Sequence, residues 1–479
     1  MNMAPVLDTE LRRMRQFLRA KVARRRCLRL HPRPSRKAIL WRHNDRADRV
    51  LNKRVRTPAA CRGGWARCPQ GPRCVRTGSP EVLALMGPGG VQDDGVVRIL
   101  FSTTPLDGHF RPMLPLARAL RDRGHAIAFA TEAGWHPNVS AEGFDALAAG
   151  LPHEAAWQHV MAAFGDSASV ALEHRADEVF ALLFGEGHAN GKARELAKVA
   201  ARWSADTIVY ESGDLAGPAV ATALALPSIH HSWGAMLPLA WFQAATARVG
   251  AAWGTFDLAP PAMAGVFDGL YVDLAPPRFQ TDRPPGERIW MRPAFAESLA
   301  GPAWLETLKP PLVYVTLGTL FNDPRLLRTL IDALDGVGSA VVTTGRDVDP
   351  VELGPVPKHV RVERFLAQAH VLPLAAAAIG HGGSGSTLGA LAHGVPLVLL
   401  PMGADQFHVA ECSASAGAAI VLRPDEATPD SVREALTRVL ENESFRHAAH
   451  AVQDEIAAMP TPAETAAAVE QFIAARARK

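Results

Sequence analysis

Residues 380–406 read GHGGSGSTLGALAHGVPLVLLPMGADQ, and this is where side chains suited to holding an anion are densest. Gly380, Gly382 and Gly385 are interspersed with Ser384, Ser386 and Thr387, so backbone N–H groups can approach a phosphate closely. The apolar run AAAAIG reads as a strand delivering this loop, and STLGALAHG continues it as a helix ended by Gly394. A helix N-terminus adds a favourable dipole, so a phosphate or diphosphate is expected here. His381 can donate a hydrogen bond to a phosphate oxygen, more strongly if protonated. A second group stands out by place. His109, in LDGHFRP, directly follows the first buried strand, and histidine ordinarily titrates near the pH at which a general base works.

Gly380-x-Gly382-x-x-Gly385 is also the dinucleotide spacing, with Asp405 at about the right distance beyond it. That fingerprint normally opens the first β-α-β unit, and its acidic residue ends the next strand. Here the loop comes late in its domain. Asp405 lies beyond Pro401-Met402-Gly403-Ala404, off the strand, and His381 sits where the fingerprint has no use for an ionisable group. A nicotinamide dehydrogenase is therefore discounted.

The elements around these residues predict two α/β domains. VVRILFS (96–102), HAIAFAT (125–131), DTIVYES (206–212) and LPSIHHS (226–232) read as strands, with DGHFRP as a loop. Met113, Leu116, Ala117 and Leu120 mark one face of a helix, and a small-residue helix falls at 215–225. After a Pro-rich linker near 275–300, strands restart at 311–319, 339–345, 359–365, 375–380 and 395–401, and helices follow from about 428. Strand–helix alternation implies parallel sheets, which bind ligands outside the carboxyl ends of their strands. Two such domains would face each other across a cleft.

Residues 363–406, ERFLAQAHVLPLAAAAIGHGGSGSTLGALAHGVPLVLLPMGADQ, resemble the donor-binding signature of inverting nucleotide-sugar glycosyltransferases of GT-B fold. The resemblance is nearest to the erythromycin-type enzymes that glycosylate actinobacterial natural products, and it runs from about 96 to 475. It implies an acceptor-binding domain at 96–290, a donor-binding domain at 300–460 and a C-terminal helix at 461–479, and leaves 1–92 as a basic extension expected to be disordered. By position, Phe365 would stack on the pyrimidine and Gln368 would lie near base and ribose. His381 would contact the diphosphate, and Ser384, Gly385, Ser386 and Thr387 would form the phosphate loop. Asp405 and Gln406 would bond sugar hydroxyls, and Gly318 and Thr319 of VTLGT would form a second loop. Ala367 departs from the family's usual Pro.

The family's Gly-His-x-x-Pro loop carries its general base, and Gly108, His109 and Pro112 match it. The carboxylate that orients such a base would be Glu211 in DTIVYESGDLAGP. His230, His231 and Trp233 would line the acceptor pocket. Relatives that use uridine donors commonly carry a glutamate three residues after the phosphate-binding serine. That position here is Gly389, so a thymidine donor is expected, with Gly389→Glu shifting the balance toward uridine. No metal or other cofactor is expected, and Asp347-x-Asp349 reads as solvated turn residues. A sugar-nucleotide epimerase would need acid–base carboxylates around the sugar, which the Asp405-Gln406 pair does not supply. A non-catalytic binder would not need His109.

Charge divides the 479-residue chain sharply. Residues 1–90 hold 22 Lys and Arg against 5 Asp and Glu, and the remainder 29 against 43. An arm for nucleic acid or membrane, a transit peptide, a disordered tail or a translation start placed upstream of Met86 would each produce this. Disorder or a misplaced start is expected, with no nucleic-acid partner. Cys27, Cys61, Cys68 and Cys74 in the extension form no CxxC pair, and Cys412 is alone in the body. No run of 18 apolar residues and no signal-peptide core occurs, so a cytoplasmic protein is expected; the resemblance implies a small hydrophobic, hydroxyl-bearing acceptor.

Overall fold

The computed structural model describes residues 95–280, 282–295, 301–318 and 323–477. The basic extension with its four cysteines, and Thr319 of the second loop, lie outside the described residues.

Seven parallel strands form the first sheet: β1 (Arg98–Ser102), β2 (Ala126–Thr131), β3 (Asp145–Ala148), β4 (Thr207–Glu211), β5 (Ser228–His231), β6 (Leu270–Asp273) and β7 (Glu287–Trp290). Their spatial order is β3-β2-β1-β4-β5-β6-β7. The second sheet holds β8 (Leu312–Thr316), β9 (Ser339–Thr343), β10 (Val360–Glu363), β11 (Ala375–Gly380), β12 (Leu397–Leu399) and β13 (Ala419–Val421), in the order β10-β9-β8-β11-β12-β13. Both faces of each sheet are covered, as parallel sheets require. On β1, Leu100 belongs to one core, and Ile99 and Phe101 to the opposite one. On β8, Leu312 and Tyr314 face one side, and Val313 and Val315 the other.

Strand order reverses between β1 and β4 in the first sheet and between β8 and β11 in the second. Chain connections leave such a switch point in opposite directions and open a crevice at the carboxyl ends of the two strands. His109 follows β1 and Glu211 ends β4, whereas Gly318 follows β8 and His381 follows β11. Each candidate group therefore stands at a switch point.

Seven helices matter to the site: α1 (Asp107–Phe110), α2 (Leu114–Asp122), α3 (His153–Phe164), α4 (Asn190–Arg202), α5 (Ser384–Ala392), α6 (Gln406–Ser415) and α7 (Pro462–Ala477). DGHFRP is not an open loop: α1 is a single helical turn followed by the tighter turn Arg111–Met113. The stretch near 275–300 is not wholly linker, because β7 lies in it and adds an edge strand to the first sheet. The C-terminal helix returns to the first half. Ala466, Val469, Phe472 and Ile473 join the core of Leu116, Ala117 and Leu120. Glu470 meets the Arg123 guanidinium through two bonds of 2.6 Å each.

Candidate active site

At the first switch point a buried carboxylate holds an imidazole. His109 Nδ1 lies 2.9 Å from Glu211 Oε2, with the histidine side chain 12% exposed and the glutamate 0%. Three more donors converge on that carboxylate: Thr104 N and Thr104 Oγ1 reach Oε1, each at 3.0 Å, and Gly213 N reaches Oε2. Burial pushes the Glu211 carboxyl up. A protonated His109, its hydrogen bond and the backbone donors of Gly213 and Thr104 outweigh burial and bring it down to about 2. A carboxylate that stays ionised fixes the tautomer with hydrogen on Nδ1 and leaves Nε2 as the basic nitrogen. Gly213 is required by close approach: a Cβ there would lie 2.8 Å from Phe184 Cδ1 and 3.1 Å from His109 Cε1.

Aromatic rings clamp the imidazole. Trp233 stands 4.1 Å from it, centroid to centroid, and Phe184 5.3 Å. Phe184 lies on Ala181–Ala189, which winds as a π-helix into α4, a widened geometry often found at functional sites. The same turn carries His188, whose Nε2 is 3.2 Å from His153 Nδ1 on α3. Burial pushes both of these histidines down, His153 to about 4.

The three residues expected at the acceptor pocket are placed differently from one another. His230 faces the core, its ring among Tyr210, Phe242, Phe267 and Tyr271, with Nε2 2.9 Å from Ser212 Oγ. His231 is 0% exposed and its Nδ1 bonds the Ser232 carbonyl at 2.7 Å. β5 is an inner strand covered on both faces, so neither histidine reaches an open surface. Trp233 lies beyond the strand's end and bridges the halves: its Nε1 donates to Asp405 Oδ2 at 3.2 Å. Met236 also crosses, its carbonyl 2.9 Å from His408 Nε2.

At the second switch point α5 begins at Ser384, capped by Gly383. A small cavity under the loop is lined by Thr316, Gln368, His381, Ser386 and Thr387, among others. His381 is walled in by Gly318 and Gly383, where an added Cβ would meet its ring at 2.6 Å and 2.4 Å. Its Nδ1 is buried without a partner, and burial pushes the imidazole down to about 4, the Thr316 carbonyl opposing. Burial therefore favours the uncharged ring while no anion is bound beside it. Gly385 is the contrast, since nothing lies within 4 Å of a Cβ placed there.

Several expected donor contacts are occupied within the protein. Gln368 Nε2 donates to Ser386 Oγ at 3.0 Å, and Ser384 Oγ donates to Asp405 Oδ2 at 3.1 Å. Gln406 Oε1 accepts from Met402 N at 2.8 Å and Gly403 N at 3.3 Å, so it shapes its own loop. Phe365 is 81% exposed and follows β10 at the edge of the second sheet. Gly389 is not open to an added side chain. A Cβ there would sit 3.3 Å from Gln368 Oε1 and 3.4 Å from Phe295 Cε1, so Gly389→Glu would press on the Gln368 amide. Asp349 caps the short turn at Pro350 and pairs with Arg364, away from the loop. Among the described residues, no three His, Cys, Asp or Glu cluster to hold a metal, and no helix is long and apolar enough to cross a membrane. A larger cavity, about 530 Å³, lies apart from the chemistry beside Trp290, Arg292 and Glu464.

Residues 328–472 match the family described as Erythromycin biosynthesis protein CIII-like, C-terminal domain. L-demethylnoviosyl transferase of Streptomyces niveus is 31% identical over 387 residues, covering 77% of this chain and 97% of that protein. The chain belongs to the erythromycin CIII-like glycosyltransferases. Elloramycin glycosyltransferase ElmGT of Streptomyces olivaceus is 30% identical over 397 residues, 78% of this chain and 96% of its own. The glycosyltransferase SnogD from Streptomyces nogalater superposes with a TM-score of 0.60 at 26% identity, covering 79% of this chain and 99% of SnogD. VinC, solved in complex with dTDP, shares the fold at a TM-score of 0.64 and 23% identity, over 80% of this chain and all 100% of VinC. The glycosyltransferase thus has the GT-B architecture, with a nucleotide sugar as donor.

Sequence reasoning placed His109, Glu211 and the glycine loop, and the structure brings each pair or set together. It missed Thr104, Gly213, Phe184 and the His153–His188 pair. It also missed Lys192, a lysine one helical turn before Leu196 on the apolar face of α4, where a cation is out of pattern.

Proposed function

We propose that this glycosyltransferase moves a hexose or deoxyhexose from a thymidine diphosphate sugar to a hydroxyl of a small, hydrophobic natural-product acceptor, with inversion. The observation that carries the mechanism is Glu211: fully buried, with four donors, one of them His109 Nδ1 at 2.9 Å. His109 Nε2 takes the acceptor's hydroxyl proton. The oxygen attacks the anomeric carbon from the face opposite the diphosphate, whose bond to that carbon breaks, and one displacement inverts the centre. The imidazolium formed is balanced by the adjacent carboxylate.

On the donor side, the N-terminus of α5 and the His381 imidazole support the departing diphosphate without a metal. Phe365 offers a face for the base. Asp405 and Gln406 reach the sugar once the Trp233 and Ser384 contacts to Asp405 are exchanged for sugar hydroxyls. Trp233, already against His109, borders the acceptor. The thymidine preference rests on Gly389. A ribose 2′-hydroxyl near it would meet no carboxylate, at a cost of roughly 1–3 kcal/mol. Thymidine lacks that hydroxyl.

The test is to supply the full chain with thymidine and uridine diphosphate sugars and a panel of hydrophobic acceptors, following nucleoside diphosphate release and product stereochemistry. Acceptor-dependent release with inversion is expected. Retention, or no release with any donor, would refute the activity proposed. Uridine diphosphate binding as tightly as thymidine diphosphate in calorimetry would refute the donor preference alone.

A further inference from the structure

Beneath the dyad lies a buried ion pair that the mechanism above does not use. Lys192 and Asp214 have side chains 3% and 1% exposed, with Nζ 2.6 Å from Oδ2. The ammonium also donates to the carbonyls of Thr103 at 2.8 Å and Ala130 at 3.2 Å. Asp214 further accepts from Ser102 Oγ at 2.6 Å. Its backbone N–H bonds the Glu211 carbonyl at 2.9 Å. One ammonium therefore ties α4 to the segment after β1, which leads to Thr104 and His109, and to the segment after β4, which begins next to Glu211.

Charge makes this more than a staple. Glu211, at the end of β4, and Asp214, in the turn after it, are two buried carboxylates three residues apart. Lys192 balances Asp214, so Glu211 is left to balance His109 alone. The other titratable groups around His109 are His188 on the π-helical turn, His153 on α3, Asp405 across the cleft, and Asp107 and Arg111 beside it in sequence. Burial lowers both His188 and His153. We propose that Lys192 and Asp214 are positioning residues that set the net charge sensed by His109, and so the pH at which the base becomes active. The inference rests on His109 being the base.

The test is the acid limb of the pH dependence of kcat/KM, which reports the free enzyme's base. Lys192→Met leaves an extra buried negative charge, which favours the imidazolium, so the limb is expected to move up by about half to one unit. Asp214→Asn leaves an extra positive charge, and the limb is expected to move down by about as much. The double variant Lys192→Met/Asp214→Asn buries neither charge and should return to the wild-type position. A merely structural pair would lower rate or yield without opposite shifts. Limbs that stay in place, or move the same way in both single variants, overturn the proposal. So does failure of both single variants to fold while the double variant folds, since the pair then serves stability alone. Should one single variant fail, the direction of the other decides. Wild-type turnover by His109→Ala would remove the base itself, a separate failure from unmoved limbs.

Discussion

At the first switch point both oxygens of Glu211 are bonded twice, whereas at the second His381 keeps a buried Nδ1 without a partner, and Phe365, after the edge strand β10, stands 81% exposed. The difference separates two tasks. A general base must hold one tautomer and one direction before substrate arrives, so the protein supplies all of its partners. A nucleotide site needs donors and a ring face left for the ligand, so its bonds are made only on binding. Gly213 and Gly385 show the same contrast in their backbones. The first is glycine because Phe184 and His109 press on it, and the second faces open space.

The comparison breaks most readily at Glu211. Glu211→Gln offers His109 an amide that favours the wrong tautomer, so turnover should fall on the order of 10²-fold while thymidine diphosphate affinity holds. Steady-state kinetics with calorimetry separates the two, and an equal loss in affinity would mean the sites are not independent. The mirror experiment is Phe365→Ala. It should weaken nucleotide binding by roughly 1–3 kcal/mol with little change in turnover at saturating donor. A fall in turnover alone would assign Phe365 to the wrong side.

Smaller effects sharpen the contrast. Gly385→Ala is expected to leave the melting temperature within about a degree and to weaken donor binding, since only an approaching phosphate needs that space. A folding defect would place the glycine requirement in the protein itself. Acid should act mainly on the first half. His153, His188, His230 and His231 lie there and His381 in the second, all pushed down chiefly by burial, to about 4, well below the ordinary value, about 3, about 4 and about 4 respectively. A folded value below the unfolded one stabilises fully above the unfolded value and is lost as pH falls toward the folded value. Thermal melts should therefore lose stability progressively from about pH 6.5 toward pH 4. A melting temperature flat across that window would show that these rings can charge without unfolding.

Long buried strands made most of the fold legible, because apolar runs such as RILFS and LVYVT have no other reading beside helical stretches. β3 and β7 were not legible. They are short edge strands, exposed in part, and DALA and ERIW carry no apolar run. β6 and β13 are only four and three residues long, too short to stand out as apolar runs beside their neighbours. The glycine loop and His109 could be found because each directly follows a recognisable strand. Thr104, Phe184 and Lys192 could not, because they act through contacts with residues distant in sequence, as in Lys192 to Thr103.

The most direct measurement is the transfer rate of His109→Ala at saturating donor, paired with its affinity for thymidine diphosphate. The rate is expected to fall by ~10²–10⁴-fold with the affinity unchanged, because the base and the nucleotide site stand at different switch points. Near-normal transfer, or a loss of affinity large enough to explain the fall, would contradict a preassembled base acting on a separately bound donor.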